Sequence, residues 1–143
     1  MRRLVLPMLT LLLCIPVQAE NIPIKDSDLP EKSLKIIAMA YPDRAVKKAY
    51  VERRASLVQY EVKLSDGVKM QFSKNGSLTE CTCTDEAVPS VLIPEKIRNT
   101  VRTEFPNNVI RSIEHDSKLY EIVLDNGCEL SFNKAFRLIS IDY

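Results

Sequence analysis

The chain has little of what most catalytic and metal sites are built from. Among its 143 residues there are one histidine, three glycines and no tryptophan. A single histidine excludes every metal motif that needs a histidine pair, and it leaves little room for Ser–His or Cys–His catalysis. No Gly-rich phosphate loop and no G-x-S-x-G elbow occurs in the sequence. We therefore predict a protein that is not an enzyme, with no catalytic residue, metal or cofactor.

The sequence also has no excess of charge of one sign. Twenty Lys and Arg residues stand against 19 Asp and Glu residues, so the formal net charge is +1. A nucleic-acid-binding chain usually carries a basic excess, and a solvating tail carries an acidic block. With 45% hydrophobic and 27% charged residues, the composition is that of a globular protein that binds no nucleic acid.

Residues 1–19 have the pattern of a secretory signal. Arg2 and Arg3 precede an apolar segment over 4–17, and Val17-Gln18-Ala19 fits a cleavage site after Ala19. The apolar segment is shorter than the about 20 residues of a membrane span. We expect cleavage rather than an anchor, no integral membrane span afterwards, and export to the periplasm or the exterior. Lipid attachment at Cys14 is a weaker alternative, because the preceding residue is not small.

The exported part of the chain contains one unit twice. Leu29-Pro30-Glu31-Lys32 returns 64 residues later as Ile93-Pro94-Glu95-Lys96. Residues 60–67, YEVKLSDG, return 60 residues later at 120–127 as YEIVLDNG. Matches in the same order with one insertion indicate a tandem duplication. The predicted division is a signal peptide at 1–19, a first unit at 20–84, a linker at 85–92 and a second unit at 93–143.

Within each unit the pattern predicts one helix and then four strands. Pro30 and Pro94 suit the first position of a helix, and Pro42 and Pro106 end the helices because the residue before a proline is pushed out of the α region. Alternating apolar residues follow in both units. The predicted fold class is α+β, with two tandem repeats, each a helix packed on a four-stranded antiparallel β-meander.

The last hairpin of each unit gives the predicted register. Asn75-Gly76 is typical of a two-residue type I′ turn. Such a turn places Phe72 opposite Thr79 and Met70 opposite Cys81. The same register in the second unit places Phe132 opposite Ile139 and Leu130 opposite Ile141.

One face of the predicted sheets is apolar and lies under the helices, and the other face is polar. Antiparallel sheets often leave one face in water, so these polar side chains form either a solvated surface or a platform that binds a partner. The candidate binding residues are Gln59, Glu61, Lys63, Lys69, Gln71, Glu80, Glu121 and Glu129.

Three cysteines remain after cleavage of the signal: Cys81, Cys83 and Cys128. The predicted register places all three on the core side, where thiols are ordinary small core residues. A disulfide from Cys128 to Cys81 or to Cys83 is the alternative in an oxidising compartment. Zinc bound by the three thiols and His115 is disfavoured, because the paired C-x₂₋₄-C spacing is absent.

The motif Tyr-Glu-hydrophobic-x-Leu-x-(Asp/Asn)-Gly, followed by a strand with Phe, resembles that of PepSY-like domains. From about Ile22 to Tyr143 the chain is similar to secreted tandem PepSY-like proteins of the β-lactamase-inhibitor-like kind. The resemblance implies two repeats that form a concave, enzyme-binding surface, and a role in inhibiting peptidases or binding envelope proteins. Where many members carry a tryptophan after the hairpin glycine, this chain has Leu78 and Leu138.

Composition and resemblance together predict a non-enzymatic protein-binding module of the bacterial cell envelope, inhibitory toward a peptidase or another envelope enzyme. Its partner is an unidentified protein that binds the polar sheet faces. The alternative function is that of a structural protein that self-associates through a strand edge or a sheet face. The protein itself is expected to be a monomer or a weak oligomer.

Overall fold

The structure is a computed structural model that describes residues 20–143, so the predicted signal peptide lies outside the described residues. Two helices and nine strands, with two single-turn 3₁₀ segments at 26–28 and 90–92, make up this part of the chain. In chain order the elements are β1 (Glu20–Ile24), α1 (Glu31–Ala40), β2 (Val46–Arg54), β3 (Leu57–Leu64), β4 (Val68–Ser73), β5 (Leu78–Cys83), α2 (Glu95–Glu104), β6 (Ile110–His115), β7 (Leu119–Leu124), β8 (Glu129–Asn133) and β9 (Leu138–Asp142).

Prolines bound both helices, as the sequence predicts. Pro30 and Pro94 are the N-cap residues of α1 and α2, where a missing N–H leaves no helical hydrogen bond unmade. The helices end at Ala40 and Glu104, two residues before the next proline in each case. Ile37 of α1 and the pair Ile97 and Val101 of α2 are buried, so each helix packs one apolar stripe onto the sheet.

The nine strands form one antiparallel sheet in the order β1 to β9. The prediction of two separate helix-on-four-strand repeats is therefore wrong. Strand β5 does not end a first sheet, because it pairs with β6 through Cys81 opposite Ile113 and Thr82 opposite Ser112. An edge strand exposes a row of unpaired N–H and C=O groups, and β6 supplies partners for those of β5.

Strand β1 was not predicted. It pairs with β2, with Ile22 opposite Val51 and Ile24 opposite Ala49. The segment is short and contains Pro23, which argues against a strand in a sequence pattern. At the edge of a sheet a proline is tolerated, because the nitrogen without a hydrogen can face away from the neighbouring strand.

A continuous core runs beneath both halves of the sheet. The fully buried Val62, Met70 and Phe72 of the first half belong to the same apolar cluster as Leu130 and Phe132 of the second half. One sheet and one core join the two halves of the described chain, and the division into two units with a linker at 85–92 remains a prediction. Neither helix within residues 20–143 has the length and apolar character needed to cross a membrane.

The predicted register of the two last hairpins is confirmed along the strands, with Met70 opposite Cys81 and Leu130 opposite Ile141, and it is wrong by one residue near the turn. Phe72 lies opposite Leu78, not Thr79, and Phe132 lies opposite Leu138, not Ile139. Each turn is a three-residue loop whose final residue alone has a positive φ, 86° at Gly76 and 62° at Phe136. A type I′ turn needs two such residues, so a bulge takes its place.

Candidate functional site

All eight predicted binding residues lie on the sheet face opposite the core. Each alternates along its strand with residues that point into the core, such as Val62 between Glu61 and Lys63 and Met70 between Lys69 and Gln71. The pleat of a β-strand sends successive side chains to opposite faces. The remaining members are Gln59 on β3, Glu80 on β5, Glu121 on β7 and Glu129 on β8.

Three glutamates form an acidic row across the middle of this face, Glu80, Glu114 and Glu121. Glu80 of β5 lies directly opposite Glu114 of β6, and Glu114 lies directly opposite Glu121 of β7. Partial burial and then the charges of Glu80, Glu121 and Asp116 raise the pKa of Glu114. The negative charges of the acidic row therefore repel one another, and this repulsion costs folding free energy.

Three lysines form a basic row next to it, Lys48, Lys63 and Lys69. Lys63 of β3 lies opposite Lys48 of β2 on one side and opposite Lys69 of β4 on the other. Two ion pairs connect this row with acidic neighbours: Lys63 Nζ lies 3.8 Å from Glu61, and Lys69 Nζ lies 3.7 Å from Glu80. An open cavity of about 370 Å³ lies beside these lysines.

Two members of these rows, Lys48 and Glu114, were missed by the sequence prediction. Their rows depend on which residues lie opposite each other across β2–β3 and β5–β6, and the second of these pairings joins the two units. The repeat itself could have located Glu114, because the strand before Glu121 is recognisable in the sequence. Its position opposite Glu80 required the continuous sheet.

The three cysteines are buried and free in this structure. The Tyr41 hydroxyl lies 3.2 Å from Cys83 Sγ and 3.9 Å from Cys81 Sγ. The hydrogen bond with the Cys83 thiol and burial raise the pKa of the Cys81 thiol, so it stays protonated and inert. The hydrogen bonds with Cys81 and Tyr41 lower the pKa of the Cys83 thiol to about 7, so Cys83 is the more acidic of the two buried thiols.

The structure does not bring Cys128 together with Cys81 or Cys83. Cys128 precedes β8, and three strand spacings separate β8 from β5, which is roughly 14 Å. A disulfide needs Cα atoms within about 7 Å. The ring of His115 contacts that of Tyr120, with centroids 4.4 Å apart and a tilt of 54° between the planes. Residues 20–143 contain no group of three or more His, Cys, Asp or Glu side chains arranged to hold a metal ion.

Fold and face define a class of protein: one antiparallel sheet with helices on one side and an open, charged surface on the other. The family described as "Putative beta-lactamase-inhibitor-like, PepSY-like" matches residues 15–80 and 58–140. The chain belongs to this PepSY-like family, which confirms the resemblance seen in the sequence. No curated protein matches it.

Solved structures of Bacteroides proteins are similar to the whole described chain. A protein of Bacteroides thetaiotaomicron described as a "putative calcium-regulated periplasmic protein" has 34% identity and a TM-score of 0.84, with coverage of 86% of this chain and 97% of that one. A "putative periplasmic protein" of the DUF2874 family from Bacteroides vulgatus has 34% identity and a TM-score of 0.83, covering 87% and 98%.

A third solved structure, described as a "putative periplasmic protein of unknown function" from Bacteroides vulgatus, has 25% identity and a TM-score of 0.82, covering 87% of this chain and 100% of that one. All three relatives are described as periplasmic. The predicted localisation, export to the periplasm or the exterior, is confirmed by these relatives.

Proposed function

We propose that the chain is a non-enzymatic protein-binding module that binds its partner through the charged sheet face and inhibits a peptidase or another envelope enzyme. The observation that carries this proposal is the separation of charge into two rows of like charge on one face. Like charges directly opposite each other on neighbouring strands destabilise a sheet by roughly 0.2–1 kcal/mol per pair. The ion pairs of Lys63 with Glu61 and of Lys69 with Glu80 offset only part of this cost, because ion pairs at a surface contribute little.

A partner of opposite charge pattern removes this cost. An acidic patch over Lys48, Lys63 and Lys69, next to a basic patch over Glu80, Glu114 and Glu121, neutralises both rows at once. Complementary charge accelerates association and fixes the orientation of the two proteins more than it raises affinity. The description of the family as β-lactamase-inhibitor-like supports an enzyme as the partner and inhibition as the outcome.

The test uses charge reversal on the face and on the opposite side of the molecule. Protein purified from the periplasm is used to capture partners from the envelope fraction, and each captured enzyme is purified and titrated with three forms of the chain. The first form is unchanged. The second carries Lys63→Glu and Lys69→Glu. The third carries Lys35→Glu and Arg102→Glu, two exposed positions on the helices, and serves as the matched control.

We expect the face variant to lose binding at least 10-fold, mainly through a slower association rate, while the helix variant binds like the unchanged protein. Association of the unchanged protein is expected to slow as salt is raised from 0.05 to 0.5 M, because salt screens exposed charges. Equal binding by all three forms refutes the site. Binding without any loss of the partner's enzymatic activity refutes inhibition and leaves a binding module.

A further inference from the structure

The outer edge of β9 is open. Within residues 20–143 no strand pairs with it, so the backbone N–H and C=O groups on this side lack a sheet partner. Apolar side chains are exposed here as well: 53% of Ile139 and 38% of Ile141 in β9, and 94% of Tyr143 just after it, are accessible to solvent. An exposed, apolar edge strand without proline or lysine is a template for a further strand.

The internal repeat shows what such an edge accepts. β9 is the second copy of β5: Leu130 lies opposite Ile141 as Met70 lies opposite Cys81. Cys81 is fully buried, and its strand pairs with β6 through Ile113. The edge of β5 therefore pairs with β6 in this chain. Strand β9 corresponds to β5, and within residues 20–143 no strand pairs with the corresponding edge of β9.

The first-unit counterpart of β6 is β2, and β1 occupies its outer edge. Ala49 of β2 lies opposite Val62 as Ile113 of β6 lies opposite Ile122. Ile24 of β1 lies opposite Ala49, in the place that Cys81 takes opposite Ile113. Strand β1 thus pairs with the outer edge of β2 as β5 pairs with β6. A β9 strand from another copy would take this same position.

We propose that β9 of one copy of this protein binds the β2 edge of a second copy in place of β1, joining the copies head to tail. The β5–β6 junction serves as the template for the register. It places Ser140 opposite Tyr50, Ile141 opposite Ala49 and Asp142 opposite Lys48. Such a contact joins two different surfaces, so it extends into an open chain of copies rather than a closed dimer.

Side-chain size and charge both fit this register. The small Cys81 faces the large Ile113 in the internal junction, and the small Ala49 would face the large Ile141 in the new one, so the pair keeps a similar volume. Asp142 would face Lys48, the outermost residue of the basic row. The residue that follows Ile24 in the present chain is Lys25, which offers Lys48 no such pairing.

Strand β1 competes with β9 of another copy for the β2 edge. It belongs to the same chain as β2, and this tether gives it an effective concentration in the millimolar range. Pro23 in β1 makes its own outer edge a poor template for another strand. Addition at this end of the sheet therefore requires that β1 leave, and assembly depends on protein concentration and on how firmly β1 is held.

Disulfide trapping tests the register directly. One preparation of the full exported protein carries Asp142→Cys and a second carries Lys48→Cys. Directly opposite residues on antiparallel strands have Cα atoms about 4.5–5.5 Å apart, which a disulfide can bridge. The three native cysteines are buried and do not compete. We expect mixed dimers on oxidation of the mixture, and none when Lys48→Cys is replaced by Lys63→Cys on the interior strand β3.

A second experiment weakens the packing of β1 against the rest of the protein. Ile24→Asp removes the apolar contact of β1 with the core, and we expect its weight-average mass in sedimentation to rise with concentration above that of the unchanged protein. Adding Ile141→Asp in β9 should return the mass to that of a monomer. The proposal is overturned if Asp142→Cys dimerises only with itself, which would mean β9–β9 pairing. It is equally overturned if no mixed dimer forms, or if Ile24→Asp stays monomeric while hydrogen exchange shows that β1 is released.

Discussion

A matched pair of glycine substitutions tests how the β4–β5 hairpin is attached to α1. Gly76 and Gly127 both have left-handed backbone, with φ of 86° and 85°. A Cβ atom at Gly76 would lie 2.8 Å from Cβ of Pro30 and 3.1 Å from Oγ of Ser33, whereas one at Gly127 would meet nothing within 4 Å. Gly76→Ala and Gly127→Ala therefore share the backbone strain and differ in the steric clash.

The expected magnitudes follow from these two contributions. A left-handed backbone costs an alanine about 1–2 kcal/mol, and this is the whole expected loss for Gly127→Ala. At Gly76 the new methyl group also overpacks a rigid proline ring, which costs about 1–3 kcal/mol more. We expect Gly76→Ala to lower the free energy of unfolding by roughly 2–5 kcal/mol in all.

Urea denaturation followed by circular dichroism measures both variants. At an m-value of about 2 kcal/mol/M, the midpoint should fall by about 0.5–1 M for Gly127→Ala and by more than about 1 M for Gly76→Ala. Equal losses would refute the role of the contact with Pro30. No loss at Gly127 would refute the reasoning about the left-handed backbone at both sites.

Three further outcomes are expected. Glu114→Gln should raise the free energy of unfolding at pH 7 by about 0.2–1 kcal/mol, because a raised pKa in the folded state means that the charged form opposes folding; urea curves at pH 7 and pH 4 should show the gain at the higher pH only. Ser33→Ala should cost about 1 kcal/mol in the same assay, because the buried hydroxyl donates to the Gly76 carbonyl at 3.1 Å, whereas an exposed control, Ser27→Ala, should cost nothing measurable. The three buried cysteine thiols should react with Ellman's reagent only after denaturation and without reductant, and fewer than three reactive thiols would indicate a disulfide.

The arrangement of the charged side chains depends partly on the local sequence and partly on pairing between distant strands. The alternation along each strand placed Glu61, Lys63, Lys69 and Glu80 on one face from the sequence alone, because the side-chain period of a strand is two. Whether neighbouring charges attract or repel depends on register across strands. That register is set by bulges such as the one between Val46 and Lys48 of β2, which no local pattern indicates.

The hairpin turns show a similar division. The Asn75-Gly76 pair correctly marks a turn, yet the loop has three residues and its partner loop in the second half puts Phe136 where the first has Gly76. The ring of Phe136 packs on Tyr120 at 5.3 Å between centroids. Packing against a neighbouring strand thus offsets the backbone strain there, and only the folded structure contains that contact.

The sequence by itself determined the ends of both helices, the alternation of polar and apolar residues and the family, because each of these rests on nearby residues or on a recognisable motif. Only the tertiary structure decided that residues 20–143 form one nine-stranded sheet, that β1 pairs with β2 and that no strand of these residues pairs with the outer edge of β9. The physical reason is that backbone N–H and C=O groups pair with whichever strand the packed helices bring beside them. Nearly every residue presents the same two groups, so the amino-acid pattern of β5 does not specify β6 as its neighbour.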